Sequence, residues 1–365
     1  MDNKIGILTW HYFPNYGSAL QAYALQKTII NNISENCKII NYRNYKYSPK
    51  GVLKIIKNNK FLYMIICKVF RKERAYKFNQ FINNNLNMTK EVNSIKELTS
   101  LNNEFKFFIC GSDQIWSPNV LDEAYLLSFV KNFNIRISYA PSIVINKISN
   151  EQKNIYNENI KKFNSLSVRE SKGRDIISEV TGIIPEVVLD PTLLLDKEEY
   201  KKVQAEININ EKYILCYILG DYKKYEKYIN EISKQYNMKI VAILSNKSES
   251  HYGDYNIYNA GPAEFLGYID NAEMILTDSF HGLAFSIIYK KEFLIFERFS
   301  HDDILCQNDR IYNLLDKLKI NNRIIKDNIQ FNLFNKIDYD YIYNNLEKEK
   351  EQSIAYIKNS INIGV

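Results

Sequence analysis

The 365-residue sequence has little glycine (12) and little proline (7), which excludes a collagen-like or Pro/Gly-rich disordered chain. Its five cysteines, Cys37, Cys67, Cys110, Cys216 and Cys306, are odd in number and widely spaced, and no pair forms CxxC. Neither a disulfide framework nor a zinc knuckle is expected, and free buried thiols in a reducing compartment are. Histidine is rarer still, at four residues without HExxH or comparable spacing, so no catalytic metal is expected. No apolar run reaches 18 residues, which excludes a membrane-spanning helix. The apolar run behind Met-Asp-Asn-Lys is too short for a signal peptide, and a cytoplasmic protein is expected. Arginine supplies only nine of the 48 basic residues, so each is worth placing. What is present is ordinary for a soluble globular chain of about two domains: 45% hydrophobic and 25% charged residues.

The net charge of +6 is unevenly spread. Between Arg43 and Lys77 stand eleven basic residues and one acid, Glu73, a local +10 that leaves the remainder at −4. A nucleic-acid binder carries a broader basic face, and no nucleic-acid partner is expected.

Short continuous apolar runs alternate with longer mixed segments. Ile5–Leu8, Lys38–Asn41, Phe105–Cys110, Arg136–Tyr139, Ser165–Val168 and Val187–Leu189 read as strands, with helices over Ser18–Ile30 and Glu151–Phe163. A boundary is placed near Asp190-Pro191. Beyond it the alternation restarts with strands Tyr213–Leu219, Lys239–Leu244, Met274–Thr277 and Glu292–Phe296 and helices Tyr222–Tyr236, Ala263–Ile269 and Gly282–Tyr289. A charged helix, Tyr339–Ile361, follows. Apolar strands without polar alternation belong to a parallel sheet covered on both faces. The pattern predicts an α/β protein of two Rossmann-like domains facing a cleft, residues 1–190 and 191–365.

Such folds bind ligands beyond the carboxyl ends of their strands, which directs attention to four turns. The first, Thr9 to Ser18, contains His11, Asn15 and Gly17 ahead of a helix start, and suits sugar hydroxyls or an anion as well as it suits a simple cap at Ser18. The second, Gly111-Ser112-Asp113-Gln114-Ile115-Trp116, crowds hydroxyl-binding groups beside an aromatic ring, or else holds an Asp cap and a core Trp. The third, Ser167-Val168-Arg169-Glu170, presents an arginine suited to carboxylate or phosphate, or to its neighbour Glu170. The fourth, Thr277-Asp278-Ser279-Phe280-His281-Gly282, ends an apolar strand and opens an apolar helix with a histidine. A phosphate bound at that helix start would favour the imidazolium, a proton donor.

The ordered set formed by these turns, together with Tyr139-Ala140 and Leu189-Asp190-Pro191-Thr192, resembles the polysaccharide pyruvyl transferases over roughly residues 5 to 320. The resemblance implies a fold similar to GT-B glycosyltransferases. It also implies transfer of a pyruvyl group from phosphoenolpyruvate to two hydroxyls of a sugar, in a cell-surface polysaccharide or its lipid-linked precursor, with no cofactor or metal. By this resemblance His281 is the general acid and Arg169 holds phosphoenolpyruvate; Ser279, His281 and Arg310 are the further expected donor contacts. Asn15, Gly17, Ser112, Asp113 and Gln114 face the acceptor, with Asp113 and His11 as candidate bases. Ser279 stands where family members often carry arginine; Arg298 or Arg310 is the expected replacement.

The basic, partly apolar segment 43–77 suggests peripheral contact with an anionic membrane at the inner face, or a solvated helix pair packed on the first domain. Two other functions are compatible with the residues. A nucleotide-sugar glycosyltransferase of the same architecture would use Glu297 on the ribose. A non-catalytic glycan-assembly protein would account for Ser279 in place of arginine.

Overall fold

The computed structural model describes residues 4–44, 61–143, 148–244, 252–299, 308–325 and 336–362, and over 61–71 the backbone alone. The chain forms two compact units. One comprises Met1–Met64, Ile82–Leu194 and Glu349–Val365; the other comprises Ile65–Phe81 and Leu195–Lys348.

In the first unit β1 (Ile5–Leu8), β2 (Cys37–Ile39), β3 (Phe107–Cys110) and β4 (Ile135–Ser138) form a parallel sheet in the order β2-β1-β3-β4. Ile5 pairs with Phe107 and Leu8 with Cys110. A short parallel pair, β5 (Ser167–Val168) and β6 (Glu186–Val187), lies beyond β4, linked by the bridge Ile137–Ser165. The helices begin with α1 (Tyr16–Asn32), α2 (Phe61–Asn85), α3 (Ile95–Ser100), α4 (Asn150–Ile160) and α5 (Ser171–Thr181). α1 is apolar on nearly every face and buried along most of its length, as such a helix must be. α4 starts from a capping box in which Ser149 and Gln152 each satisfy the other's backbone N–H.

The second unit is a six-stranded parallel sheet of β7 (Tyr213–Tyr217), β8 (Lys239–Ile243), β9 (Tyr255–Ile257), β10 (Met274–Thr277), β11 (Glu292–Phe296) and β12 (Ile324–Ile325). The order is β12-β11-β10-β7-β8-β9. Its helices are α6 (Lys197–Lys201), α7 (Glu226–Tyr236), α8 (Pro262–Asn271), α9 (Phe280–Ile288), α10 (Asp309–Leu318) and α11 (Tyr339–Asn362). The central strands β7 and β10 are buried at every residue. Each fully buried Ile or Leu in them contributes about 1.5–3 kcal/mol of transfer free energy.

Both sheets reverse their winding. In the first unit the chain runs outward from β1 to β2, then returns to β3 on β1's other side. In the second it runs from β7 through β8 to β9, then returns to β10 on β7's other side. Each reversal leaves a switch point, where adjacent connections leave in opposite directions and a crevice opens at the strands' carboxyl ends.

The α/β character with two parallel-sheet units agrees with the sequence reading. The units divide at Leu194/Leu195, four residues past the expected boundary. Two segments also group differently. The end of α11 belongs with the first unit, because Ser353 Oγ accepts the Leu189 N–H at 3.0 Å and the Tyr356 hydroxyl donates to Ser138 O at 2.9 Å. Of the two readings of the basic segment, contact with an anionic membrane and a helix pair packed on the first domain, the second is corrected for Ile65–Phe81, which packs in the second unit. There Lys77 pairs with Glu264 at 3.0 Å and Arg74 donates to Leu244 O at 3.2 Å. The rest of the membrane-contact segment, 45–60 and the side chains of 61–71, lies outside the described residues. Among those residues no helix is long and apolar enough to cross a membrane. Cys37, Cys110 and Cys216 are buried free thiols, and burial pushes all three up from the ordinary thiol range.

Candidate functional site

At the first unit's switch point, β1 runs into the turn Thr9 to Asn15 and β3 into Gly111 to Gln114. Asn15 caps α1, its Oδ1 accepting the Ser18 N–H at 3.3 Å. The Ser18 hydroxyl donates to Asp113 at 2.5 Å, and Asp113 also accepts the Gln114 N–H at 2.9 Å. Gln21, on the next turn of α1, ties the two loops together. Its amide N–H group donates to Thr9 Oγ1 at 2.8 Å and to Trp10 O at 3.0 Å, and its carbonyl accepts the Ser112 N–H at 3.0 Å. The Ser112 hydroxyl donates to Ala140 O at 2.6 Å. This layer demands unusual backbone: φ is +133° at Gly111, +71° at Asp113 and +52° at Ala140. At Gly111 a Cβ would stand 1.9 Å from Tyr139 O, so no side chain fits.

Next to this layer lies a buried ion cluster. Arg169 Nη1 is 2.8 Å from Asp190, and its Nε is 3.7 Å from Glu170. The three side chains are 2%, 0% and 4% exposed. Asp190 further accepts the Thr192 N–H at 3.0 Å and its hydroxyl at 2.7 Å; Glu170 accepts the Ser142 hydroxyl at 3.0 Å and the Ile143 N–H at 2.8 Å. Burial pulls the Arg169 guanidinium down, but the carboxylates of Asp190, Glu170 and Asp113 outweigh it and raise it above its ordinary value.

These positions sort the acceptor-facing set. Gly17 and Ser112 are buried, with Ser112 spent on Gln21 and Ala140, so both build the turn. Asp113 is 5% exposed and engaged by Ser18. Asn15 is exposed and Gln114 half-buried. Of the two readings of Trp116, an aromatic beside the polar turn or a core residue, the second holds: it is 0% exposed and its indole N–H donates to Tyr125 O at 2.9 Å. The half-buried aromatics are instead Trp10, Tyr12 and Phe13. His11, a candidate base, is enclosed, its nitrogens 3.1 Å from Thr9 O and 3.1 Å from Asn41 Oδ1. Burial lowers its pKa more than those two contacts raise it, leaving the ring neutral at pH 7.

At the second unit's switch point, β10 runs into Asp278 and α9. Asp278 accepts the N–H groups of Leu219 at 2.7 Å and Gly220 at 2.8 Å, which fixes the chain leaving β7. Burial raises its carboxyl pKa, against the opposing pull of Arg298 and of the two N–H groups. Ser279 is the N-cap of α9, its hydroxyl oxygen accepting the Gly282 N–H at 3.4 Å. His281 is the second residue of that helix, 8% exposed, with its ring edge-on to Phe280 at 5.2 Å. Arg310, near the start of α10, holds its guanidinium 5.9 Å from the same Phe280 ring. Arg298 lies just past β11, against Phe299 at 4.7 Å. One switch point thus gathers a helix N-terminus, a histidine and two arginines, which together suit an anion that must be bound and a proton that must be delivered. Both proposed replacements for the arginine absent at Ser279 stand in this unit.

Glu297, the residue a ribose would need, accepts the Tyr312 hydroxyl, and its carbonyl accepts the Tyr225 hydroxyl at 2.7 Å. His251 and His301 lie outside the described residues. Among the described residues no group of three or more His, Cys, Asp or Glu is placed to hold a metal ion. Sequence reasoning gave no role to Gln21 or Asp190. Both stand in stretches that carry the family resemblance, Gln21 in Ala19-Leu20-Gln21-Ala22-Tyr23-Ala24-Leu25 and Asp190 in Leu189-Asp190-Pro191-Thr192.

A family model described as polysaccharide pyruvyl transferase matches residues 15–301. No curated protein matches the chain. Among solved structures, a putative UDP-N-acetylglucosamine 2-epimerase from Listeria monocytogenes is 9% identical, covering 98% of this chain and 91% of its own at a TM-score of 0.48. The UDP-GlcNAc 2-epimerase from Methanocaldococcus jannaschii is 14% identical, with 95% and 92% covered at 0.47. The ADP-heptose lps heptosyltransferase II of E. coli is 10% identical, with 96% and 99% covered at 0.40. Likenesses this distant assign neither a substrate nor an activity.

Proposed function

The chain belongs to the polysaccharide pyruvyl transferase family, and from that premise we propose that it moves the pyruvyl group of phosphoenolpyruvate onto a sugar of a cell-surface polysaccharide or its lipid-linked precursor. The observation that carries this reading is the second unit's switch point, where His281 and Arg310 flank one Phe280 ring at the start of α9. Phosphoenolpyruvate carries a carboxylate and a phosphate, and both need cations and N–H donors. Arg310 and Arg298 supply the first, and the N-terminal end of α9 supplies the second. Ser279 caps the helix that presents His281. In the reaction a sugar hydroxyl attacks C2 while His281 protonates C3. The second hydroxyl then displaces phosphate at C2, the two hydroxyl protons leave, and a cyclic ketal and inorganic phosphate remain. No metal or cofactor is required by this balance.

The test is thermal stabilisation by phosphoenolpyruvate against a panel of nucleotide sugars. The expected result is a shift with phosphoenolpyruvate that Arg310→Ala abolishes. His281→Asn should retain the shift but release no phosphate when acceptor sugars are supplied. A shift with one nucleotide sugar and none with phosphoenolpyruvate would overturn the reading in favour of glycosyl transfer.

A further inference from the structure

The first unit's switch point carries a half-buried aromatic surface at the edge of its core, against which Trp10 packs. Trp10, Tyr12 and Phe13 fall within four consecutive residues on the turn after β1, and all three are half-buried. Trp10 meets Phe13 edge-on at 5.8 Å and 77°, and rests on buried Tyr125 at 6.4 Å and 86°. Phe13 lies tilted against Tyr12 at 4.3 Å and 34°. Beneath the turn, the bonds of Gln21 to Thr9 and Trp10 lock the backbone, so the rings are held before any ligand arrives. The Tyr12 hydroxyl is pushed up to about 12 by burial and by Asp122, so it is protonated at neutral pH and serves as donor and acceptor. Exposed Asn15 and half-buried Gln114 border the same turn.

We propose that Trp10, Tyr12 and Phe13 form the platform on which the acceptor saccharide lies, with the apolar C–H face of a pyranose ring against the aromatic faces. Resting on the pyruvyl-transfer reading for its ligand class, the inference assigns the acceptor's contacts to this outer layer rather than to buried Ser112 and Gly17. Aromatic side chains combine a flat apolar face with a polar rim, and a hexose presents the matching pair: a C–H face and a ring of hydroxyls. Asn15 and Gln114 are the amides within reach of those hydroxyls at the turn's border.

Saturation-transfer NMR on the full chain tests this with a panel of methyl glycosides of glucose, galactose, mannose and their N-acetylamino forms. The expected result is transfer to the ring C–H protons of at least one glycoside. Phe13→Leu keeps the volume and loses the plane, and should weaken that glycoside's binding by about two- to tenfold. Phe13→Tyr should restore it. The thermal shift with phosphoenolpyruvate should be the same in wild type and both variants, which also reports that they fold. Transfer that is undiminished in both Phe13→Leu and Trp10→Phe, or no transfer to any glycoside, would overturn the platform. If the glycoside result holds while phosphoenolpyruvate gives no shift in wild type, the pyruvyl reading fails and the platform stands.

Discussion

Replacing Arg169 by methionine is the most revealing perturbation of the first unit. Methionine keeps most of the arginine's volume but not its charge or its guanidinium tip, so the change removes the counter-ion and little volume. Asp190, at 0% side-chain exposure, keeps the Thr192 N–H and hydroxyl on Oδ1. Its Oδ2 loses the 2.8 Å guanidinium and keeps the longer 3.4 Å contact with the Ser112 hydroxyl. Glu170 loses its cation at 3.7 Å while keeping Ser142 and Ile143. Stranding a buried charge in this way costs about 3–5 kcal/mol. For a unit of this size that is a fall of roughly 6–20 °C in melting temperature. The assay is urea unfolding followed by tryptophan fluorescence. Both tryptophans, Trp10 and Trp116, lie in the first unit, so the signal reports that unit. The companion variant is Arg169→Met with Asp190→Asn. It removes both charges and should recover part of the loss, because the penalty resides in the uncompensated carboxylate rather than in the missing contact. A single variant within about 1 kcal/mol of wild type would refute the argument. So would a double variant with no recovery, since the cluster would then not be acting as a buried ion pair.

Two further outcomes follow from the two switch points. Because burial depresses the His11 pKa below its usual 6.5, the folded unit binds fewer protons there than the unfolded chain; this stability is present above pH 6.5 and is lost as pH falls through and below it. His11→Gln should flatten the difference in melting temperature between pH 7.5 and pH 5, and an unchanged slope would show that the ring does not titrate on unfolding. In the second unit, a Cβ at Gly282 would stand 2.3 Å from Thr277 Oγ1, whose hydroxyl donates to Tyr217 O at 2.5 Å. Gly282→Ala should therefore displace that hydroxyl and cost on the order of 1–3 kcal/mol, read by calorimetry; a melting temperature equal to wild type would show that α9 shifts freely away from β10.

The strands were legible because their chemistry is unambiguous. Met274–Thr277 and Glu292–Phe296 are apolar runs of strand length bounded by charged or turn residues, and the structure places them at those residues. Strand ends near polar turns were less legible: Phe105 and Tyr139 are apolar and buried, so hydropathy extends the runs past the strand bounds Phe107 and Ser138. α5 and α10 were missed because Ser171–Thr181 and Asp309–Leu318 are mostly polar, and their apolar residues show a face only at a period of 3.6. At the sites, residue type and position behind a strand were enough to single out His281, Arg169 and Asp113. Side-chain commitment was not visible. Ser112 and Asp113 read equally as hydroxyl-binding groups or, for Asp113, as a cap, and it took three-dimensional placement to show Ser112 bonded to Ala140 and Asp113 to Gln114 N–H and Ser18. Trp10, Tyr12 and Phe13 read as part of a polar turn, because one-dimensional hydropathy does not tell a half-exposed ring from a buried one.

The interleaving of the two units along the chain sets a timetable for synthesis. Ser353 and Tyr356, which bond to Leu189 and Ser138, are translated about 160 residues after Leu194, where the rest of the first unit ends. At the 5–20 residues per second of a ribosome, that is a wait of roughly 10–30 s during which the first-made sheet lacks its last helix. The N-terminal half is thus the first to emerge and among the last to close, and a chain stalled near residue 194 would present β4 without the Tyr356 hydroxyl on Ser138 and β6 without the Ser353 oxygen at Leu189.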